Sequence, residues 1–279
     1  MVKKWGIIGI IVAVSMTVTG CANDGKDKSV NKEYTKGITK NTLTADEVKF
    51  LTENSFYGDD QSELYDYQKD WVYRYRYAIK TLKLRYPSYD FDVFGGGDWF
   101  VSSDDNFMFG LKDEADNYDS RYFSLYMDKD GEDTGEYIVE DNFYGYLLHE
   151  RYEAYIQETF SEIPLIGVYS SMSTVSSEFS EESTVDDVLE SDVNPSTYLF
   201  VDIAKVDLTS VSDIVKNYVI EDGRVGDNFY IIPVESPNLL SGLSSSEMYN
   251  KCIELKYFDY EVVVNSNSYR KENSKWKEW

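Results

Sequence analysis

The spacing of apolar side chains changes twice between residues 62 and 164, and this change limits the possible folds more strongly than any other feature. Over residues 64–82 apolar side chains recur every three, four or seven positions, as on one face of an amphipathic helix. Over residues 91–127 they alternate with polar or tyrosyl neighbours, as in half-buried strands. Helical spacing returns over residues 144–160, so the pattern predicts a helix, three strands and a second helix. The first helix is marked by Leu64, Tyr67, Trp71, Ala78 and Leu82, the strands by Phe91, Val93, Phe107, Phe109, Leu111, Phe123, Leu125 and Met127, and the second helix by Tyr144, Leu148, Tyr152, Tyr155 and Phe160.

Shorter elements are predicted on either side of this set. Thr44 and Glu47 have the spacing of a capping box, which indicates the start of a short helix. Together with the later elements, this predicts an α+β protein in which amphipathic helices pack on antiparallel sheets. The later elements are strands at 164–175, 196–204 and 228–234, a helix at 208–219 with Ser212 and Asp213 on its polar side, and a strand pair within 252–264.

Residues 170–196 divide the chain into two parts. They are rich in serine, aspartate and glutamate, which is typical of an exposed loop. We therefore expect a first unit at 43–164, a second unit at 165–264 and a polar tail at 265–279. The sequence leaves open whether the two units form one domain or two.

The N-terminal residues have the order of a secretory signal. Lys3 and Lys4 carry positive charge, and an apolar run follows at 5–14 before smaller and hydroxylated residues begin. A membrane-spanning helix needs about 20 mostly apolar residues, and this run is too short for that. A signal peptide is therefore favoured over a permanent helix.

The residues that end this signal carry a family resemblance. Val18, Thr19, Gly20 and Cys21 resemble the lipobox of bacterial lipoproteins, in which an apolar and two small residues precede a cysteine. The resemblance implies cleavage after Gly20 and a diacylglyceryl group joined to Cys21 through a thioether. Two acyl chains hold a protein on a membrane where a single chain would release it.

This resemblance sets the expected organisation and location of the chain. Residues 1–20 are expected to be the signal peptide, and 21–42 the lipidated cysteine and a flexible polar tether. The mature protein is then held by its lipid at the extracytoplasmic face of a bacterial membrane. Both a Gram-positive membrane and a Gram-negative outer membrane are compatible with the sequence.

The charge of the chain excludes one class of partner. Aspartate and glutamate number 51 against 27 lysines and arginines, so the formal net charge is −24. Nucleic acid is an unsuitable partner, because phosphate contacts need clustered basic residues. Cations, a protein or cationic peptide, and neutral ligands such as sugars remain suitable, and the 25 tyrosines offer amphipathic contact surface.

Few residues offer catalytic chemistry. His149 is the only histidine, and the motif around it resembles a zinc protease site in which Glu153 replaces the second histidine, so a ligand is lost. Cys252 would have no disulfide partner once Cys21 is lipidated, and we expect it to be a small buried residue. Three glycines at 95–97 predict a turn or bulge, with a ligand loop as the alternative. No catalytic residue is nominated.

One segment has the spacing of a calcium loop. The residues from 130 to 141 partly match the ligand positions of an EF-hand, although a bidentate glutamate is expected where this chain has an aspartate. A solvated turn is the alternative interpretation, and no other cofactor is indicated. The candidate calcium ligands are Asp130, Glu132, Thr134 and Asp141, with Gly135 at the turn position.

The sequence favours binding over catalysis, because the anchor motif is complete and the enzyme motifs are missing or broken. We expect a binding or interaction module whose ligand is a protein, a peptide or a sugar. The first alternative is an enzyme that acts on cell-wall material or polysaccharide, and it requires a buried carboxylate beside aromatic residues. The second alternative is a calcium-dependent adhesion or structural module.

Overall fold

The computed structural model describes residues 33–53, 62–93, 106–112, 123–127, 135–221 and 228–265. Within Lys32–Trp279, which forms one compact unit, these residues contain six α-helices and eight strands. The α+β fold class predicted from the sequence is confirmed. Several predictions lie outside the described residues: the signal peptide, the lipobox with Cys21, the glycines at 95–97, Asp130, Glu132, Thr134 and the tail from 266.

The first sheet is a four-stranded antiparallel meander in the order β1-β2-β3-β4. Two helices precede it along the chain, and a third follows its last strand. This order confirms the predicted helix, three strands, helix, with one short strand added. The elements are α1 (Ala45–Glu53), α2 (Asp66–Arg85), β1 (Phe91–Val93), β2 (Asn106–Leu111), β3 (Phe123–Met127), β4 (Val139–Asp141) and α3 (Phe143–Thr159).

Helix α2 forms the first hydrophobic core with one face of this sheet. Its side chains Val72, Ala78 and Leu82 are fully buried, as is Leu125 of β3. Burying a valine or leucine side chain contributes roughly 2 kcal/mol of hydrophobic free energy. Tyr67 was predicted to lie on the buried stripe but is 50% exposed. Leu64, the first predicted member, is buried, but Gln68 takes the buried position predicted for Tyr67, and its Oε1 accepts the N–H of Tyr65 at 2.8 Å.

The second sheet has the order β5-β6-β7-β8 and is mixed, with antiparallel pairs at both edges and a parallel pair in its centre. The parallel pair arises because the helix between β6 and β7 returns the chain to the same end of the sheet. The elements are β5 (Leu165–Ser171), α4 (Val185–Glu190), β6 (Ser196–Asp202), α5 (Leu208–Glu221), β7 (Asn228–Val234), α6 (Ser245–Glu254) and β8 (Val262–Asn265).

Both faces of the second sheet are covered. On one face Leu199, Phe229 and Ile231 share a core with residues of α3 and α5. On the other face Phe200 and Ile232 share a core with Met248 and Cys252 of α6. The strands are therefore apolar on both sides, which explains the nearly continuous apolar runs in β6 and β7.

A segment that we call the strap, residues 172–183, joins the two sheets. The backbones of Asp141 and Ser176 exchange two hydrogen bonds of 3.0 and 2.9 Å. The Glu181 N–H donates to the carbonyl of Arg85 at the end of α2 at 2.9 Å. The ring of Phe179 stacks on Tyr144 of α3 with centroids 4.1 Å apart. The strap therefore contacts α2, β4 and α3 at once.

Three sequence predictions differ from the structure in this half. The segment 170–196, predicted to be an exposed loop, contains α4, and its side chains Phe179 and Val188 are buried. The first strand of the pair predicted within 252–264 is wrong, because α6 continues to Glu254 and only β8 is a strand. Ser212, assigned to the polar side of α5, is only 6% exposed.

The flexible tether was predicted to extend to residue 42, but residues 33–42 are already part of the fold. Residues 33–42, which we call the arm, contain two short 3-10 helices, Glu33–Thr35 and Lys40–Thr42. Ile38 within the arm is 4% exposed and belongs to the first core. No helix among the described residues has the length and apolar character required to cross a membrane.

Candidate functional site

An open pocket of ≈ 360 Å³ lies between the strap and α4. We call it the acidic pocket, because four of its eight lining residues are carboxylates and three are serines. No lysine or arginine lies among the described residues that form it. The lining residues are Glu178, Phe179, Ser180, Glu182, Ser183, Asp187, Glu190 and Ser191.

Local sequence explains how this pocket is built. Thr184 and Asp187 form a capping box, in which the Asp187 carboxylate accepts the Thr184 N–H at 2.7 Å and Thr184 Oγ1 accepts the Asp187 N–H at 3.3 Å. Buried Val188 holds α4 against the second core. The helix is thereby fixed with Asp187 and Glu190 beside the strap.

The pocket carries uncompensated negative charge. Within the described part of the chain, none of its four carboxylates forms an ion pair with a lysine or arginine. The hydrogen bond from the Thr184 N–H lowers the pKa of Asp187, so this carboxylate is ionised at neutral pH. A bound group with positive charge would therefore meet ionised oxygens and serine hydroxyls, both of which accept hydrogen bonds.

Glu153 is the second place where polar chemistry is concentrated. Its side chain lies on α3 beside β5, which is an edge strand, and the residue is 8% exposed. Its Oε1 accepts the backbone N–H of Ser170 at 2.8 Å and the Ser170 hydroxyl at 3.3 Å. Burial raises the pKa of Glu153, while hydrogen bonds from Ser170 and Ser245 and the charge of His149 act in the opposite direction.

Glu153 therefore has the features expected of an active-site acid, a buried carboxylate near tyrosines, and it also has a structural role. It satisfies a backbone N–H of the edge strand β5, which would otherwise be open to pairing with another strand. His149, one helical turn before it, has Nδ1 2.7 Å from the carbonyl oxygen of Tyr146. The incomplete zinc motif thus places His149 and Glu153 on the same helix. No group of three potential metal ligands occurs among the described residues.

Three tyrosines form a row across the second sheet near Glu153. Tyr169 lies opposite Tyr198, and Tyr198 opposite Tyr230. Tyr198 and Tyr230 stack nearly parallel, with centroids 4.6 Å apart, and Tyr249 of α6 lies 4.4 Å from Tyr169. The rings cover one another's faces, so this row supports packing more than face-on stacking of a sugar. The tyrosines that are exposed among the described residues are Tyr65 and Tyr67, at 61% and 50%.

The structure describes one of the four candidate calcium ligands. Asp141 has a fully buried side chain, and its Oδ2 lies 2.7 Å from the Arg85 guanidinium. Its Oδ1 accepts the Tyr86 hydroxyl at 2.8 Å and the Phe143 N–H at 3.0 Å. A calcium ion bound by Asp141 would have to replace these contacts. Whether calcium binds stays a prediction, since the other three ligands lie outside the described residues.

Cys252 has the environment predicted for it. It is fully buried in α6, and burial raises the pKa of its thiol to about 11. A thiol with this pKa is almost entirely protonated at neutral pH and is a poor nucleophile.

The acidic pocket was not nominated from the sequence. The signals were present but separate: seven acidic residues without a lysine or arginine over 172–195, and a capping box at Thr184. Their meaning depends on the fold, because Phe179 of the strap and Val188 of α4 are buried in the same core. No protein-family model, curated protein or solved structure matches the chain.

Proposed function

We propose that the protein is a lipoprotein, anchored through Cys21 at the extracytoplasmic face of a bacterial membrane, that binds a positively charged peptide in the acidic pocket. The lipobox resemblance of Val18, Thr19, Gly20 and Cys21 supports the anchor. The pocket supports the choice of ligand. The formal charge of −24 adds a long-range attraction for such a ligand.

The observation that carries the ligand class is a set of carboxylates in an open pocket that form no ion pair with any described lysine or arginine. Glu178, Glu182 and Glu190 line this pocket together with Asp187. A lysine or arginine side chain offers several N–H donors, which match the carboxylate and serine oxygens. Because these carboxylates are exposed to water, each contact contributes only about 0.2–1 kcal/mol and weakens as salt is added.

The first experiment measures binding of a hexalysine peptide by titration calorimetry at low and high salt. The variant Glu178→Gln/Glu182→Gln/Glu190→Gln removes three charges and leaves the capping residue Asp187 intact. At about 0.5 kcal/mol per contact, the loss is about 1.5 kcal/mol, or roughly tenfold in Kd.

A matched control carries the same change in net charge elsewhere. Glu150, Glu158 and Glu162 are exposed residues on α3 and the turn after it. The variant Glu150→Gln/Glu158→Gln/Glu162→Gln should change Kd less than twofold. An equal loss in both variants would show that the peptide responds to net charge alone, and the pocket would no longer be supported as the site.

The anchor is tested separately by the variant Cys21→Ala in the full chain. It should block lipid attachment and processing and move the protein out of the membrane fraction, whereas Thr17→Ala, before the lipobox, should not. Metabolic labelling with a fatty acid and fractionation measure both effects. Unchanged labelling and fractionation of Cys21→Ala would contradict the lipoprotein assignment.

The polysaccharide-acting enzyme and the calcium-dependent module remain alternatives. Glu153 favours the first, because it is a buried carboxylate with a raised pKa close to Tyr169. Its hydrogen bonds to β5 support a role in the fold instead. The second alternative predicts a rise in melting temperature on addition of millimolar calcium.

A further inference from the structure

The arm is attached to α2 through the side chain of Tyr34. The Tyr34 hydroxyl donates to Asp70 Oδ1 at 3.1 Å, and the Tyr34 ring lies 4.6 Å from that of Tyr73, centroid to centroid. The other carboxylate oxygen of Asp70, Oδ2, accepts a hydrogen bond from Arg74 Nε at 3.1 Å. Asp70 and Arg74 are only 8% and 7% exposed. Tyr34 therefore places a hydroxyl in a buried polar cluster.

A second tyrosine hydroxyl lies in the same cluster, and it is not satisfied. Tyr137 is 7% exposed, and its hydroxyl has no hydrogen-bond partner within the described part of the protein. Its ring centroid lies 5.7 Å from the Arg74 guanidinium carbon and 6.4 Å from the centroid of Tyr73. Burial raises the pKa of Tyr137, and the nearby Tyr34 hydroxyl and the charge of Asp70 raise it further. The Tyr137 hydroxyl is therefore close to the carboxylate that Tyr34 binds.

The unpaired hydroxyl makes the closed position of the arm less favourable. A buried hydroxyl without a partner loses its hydrogen bonds to water and gains none in return, so it favours any arrangement that supplies one. Here Tyr137 carries this cost while Tyr34 occupies Asp70 Oδ1. Burial of Ile38 in the first core acts in the opposite direction and holds the arm down. If the arm leaves, Asp70 Oδ1 is vacated and the Tyr137 hydroxyl is near enough to replace Tyr34.

We propose that the arm is a latch in which Tyr34 and Tyr137 compete for Asp70. With the arm closed, Tyr34 donates to Asp70 and the Tyr137 hydroxyl stays unpaired. With the arm open, Tyr137 donates to Asp70 in place of Tyr34, so Asp70 keeps both a phenol donor and its ion pair with Arg74. The arm can therefore open as a unit while α2 stays folded.

Opening of the latch lengthens the link between the folded body and the membrane, a consequence that rests on the proposed lipid at Cys21. Glu33, where the closed arm begins, is 12 positions after Cys21, and an extended chain of that length spans at most about 40 Å. Thr44, which caps α1, is 23 positions after Cys21, and the corresponding limit is about 80 Å. The state of the latch therefore sets how far the acidic pocket can reach from the membrane.

The latch is tested by hydrogen exchange of the arm in the full chain, measured by mass spectrometry on peptides that contain the Ile38 amide, which donates to the Thr35 carbonyl at 3.1 Å. Tyr137→Phe removes the unpaired hydroxyl, so the arm should open about tenfold less often. Tyr34→Phe vacates Asp70 for Tyr137, so opening should change by less than about threefold. When Tyr137→Phe has removed the substitute donor, adding Tyr34→Phe should raise opening about tenfold.

Tyr77→Phe is the matched control, because Tyr77 packs edge-on against Tyr137 with centroids 5.4 Å apart. It should change opening by less than about twofold. Unchanged or faster exchange in Tyr137→Phe would overturn the latch. An effect of Tyr34→Phe that is the same with and without the Tyr137 hydroxyl would also overturn it, because the two hydroxyls would then act independently. The exchange measurement does not depend on the lipid, so a failed Cys21→Ala test would remove the effect on reach and leave the latch supported.

Discussion

Two charged side chains, partly buried Arg85 and buried Glu153, bond to backbone groups at sheet edges. The Arg85 guanidinium donates to the Val139 carbonyl on β4 at 2.5 Å, and Glu153 accepts the Ser170 N–H on β5 at 2.8 Å. Each of these strands pairs on one side only with another strand of its sheet. An edge that carries a buried charge is protected against pairing with a second chain. These residues therefore support solubility as well as packing.

Glu47 is a buried carboxylate whose partners can be tested through pH. Its oxygens lie 2.6 Å from Arg76 Nε and 2.8 Å from the Thr44 N–H. Burial alone would raise the pKa of Glu47, but hydrogen bonds from Arg76 and Thr44 outweigh it and lower the pKa below its usual value of 4.5. A folded-state pKa below the unfolded value means that this stabilisation is present above pH 4.5 and is lost as the pH falls through the folded pKa.

We predict that Glu47→Gln lowers the free energy of unfolding by about 1 kcal/mol at pH 7, because Arg76 is partly exposed and its ion pair is screened. Glutamine still accepts the Thr44 N–H, so the helix cap is retained. The difference between the two proteins should shrink to less than about 0.5 kcal/mol at pH 3. Urea unfolding at several pH values measures it, and a difference that is constant with pH would contradict the ion pair.

The arm is the element whose attachment is least visible in the sequence and most easily tested. Gly135 and Gly242 have nearly equal positive φ angles of 76° and 79°, so an alanine is strained at both. An added Cβ at Gly135 meets the Tyr34 ring, whereas one at Gly242 meets nothing within 4 Å. Comparing alanine variants at the two positions therefore distinguishes the effect of backbone strain from the effect of displacing the arm.

We predict that Gly242→Ala costs about 1 kcal/mol of stability from strain alone, and that Gly135→Ala costs about 1 kcal/mol more. Only Gly135→Ala should also speed tryptic cleavage after Lys36 and Lys40, by about tenfold. Mass spectrometry of timed digests measures the cleavage. Equal cleavage rates in the two variants would show that Tyr34 does not hold the arm.

The helices and strands that could be predicted from the sequence are those in which apolar side chains recur with a clear helical or strand spacing. Strands β1, β2 and β3 and helices α2 and α3 occur where apolar spacing placed them. The strand predicted near Cys252 is wrong. Met248 and Cys252, four residues apart, lie on one face of a helix, but the alternating residues that follow them favoured a strand. Helix α4 has only six residues, too few for periodicity to reveal it, although its capping box was readable.

At the scale of the molecule, local sequence patterns do not predict which distant segments pair with each other. The parallel pairing of β6 with β7 and the attachment of the strap at Asp141 depend on contacts far apart in sequence. The same limit applies to the site, since the acidic pocket exists only where the strap meets α4. Composition did indicate its charge, because residues 172–195 contain seven acidic residues and no lysine or arginine.

Asp141 is the residue at which the two sheets meet, so it tests whether they unfold together. Its carboxylate is fully buried and binds Arg85 of α2, while its backbone pairs with Ser176 of the strap. Asparagine in its place would leave partly buried Arg85 without this charged partner, beside a fully buried side chain. Breaking a buried ion pair in this way costs about 3–5 kcal/mol.

We predict that Asp141→Asn lowers the free energy of opening by the same amount, about 3 kcal/mol, for the slowest-exchanging amides of α2 and of β6. Equal losses are expected because Lys32–Trp279 is one compact unit and because the strap, which directly follows β5 of the second sheet, hydrogen-bonds to β4 and to the end of α2. Native-state hydrogen exchange measures both helices and strands in one experiment. Asp213→Asn, which affects only an exposed contact with Lys216, should change both values by less than about 0.5 kcal/mol. A loss confined to α2 would instead show that residues 43–164 and 165–264 are independent domains, and that the strap transmits no stability between them.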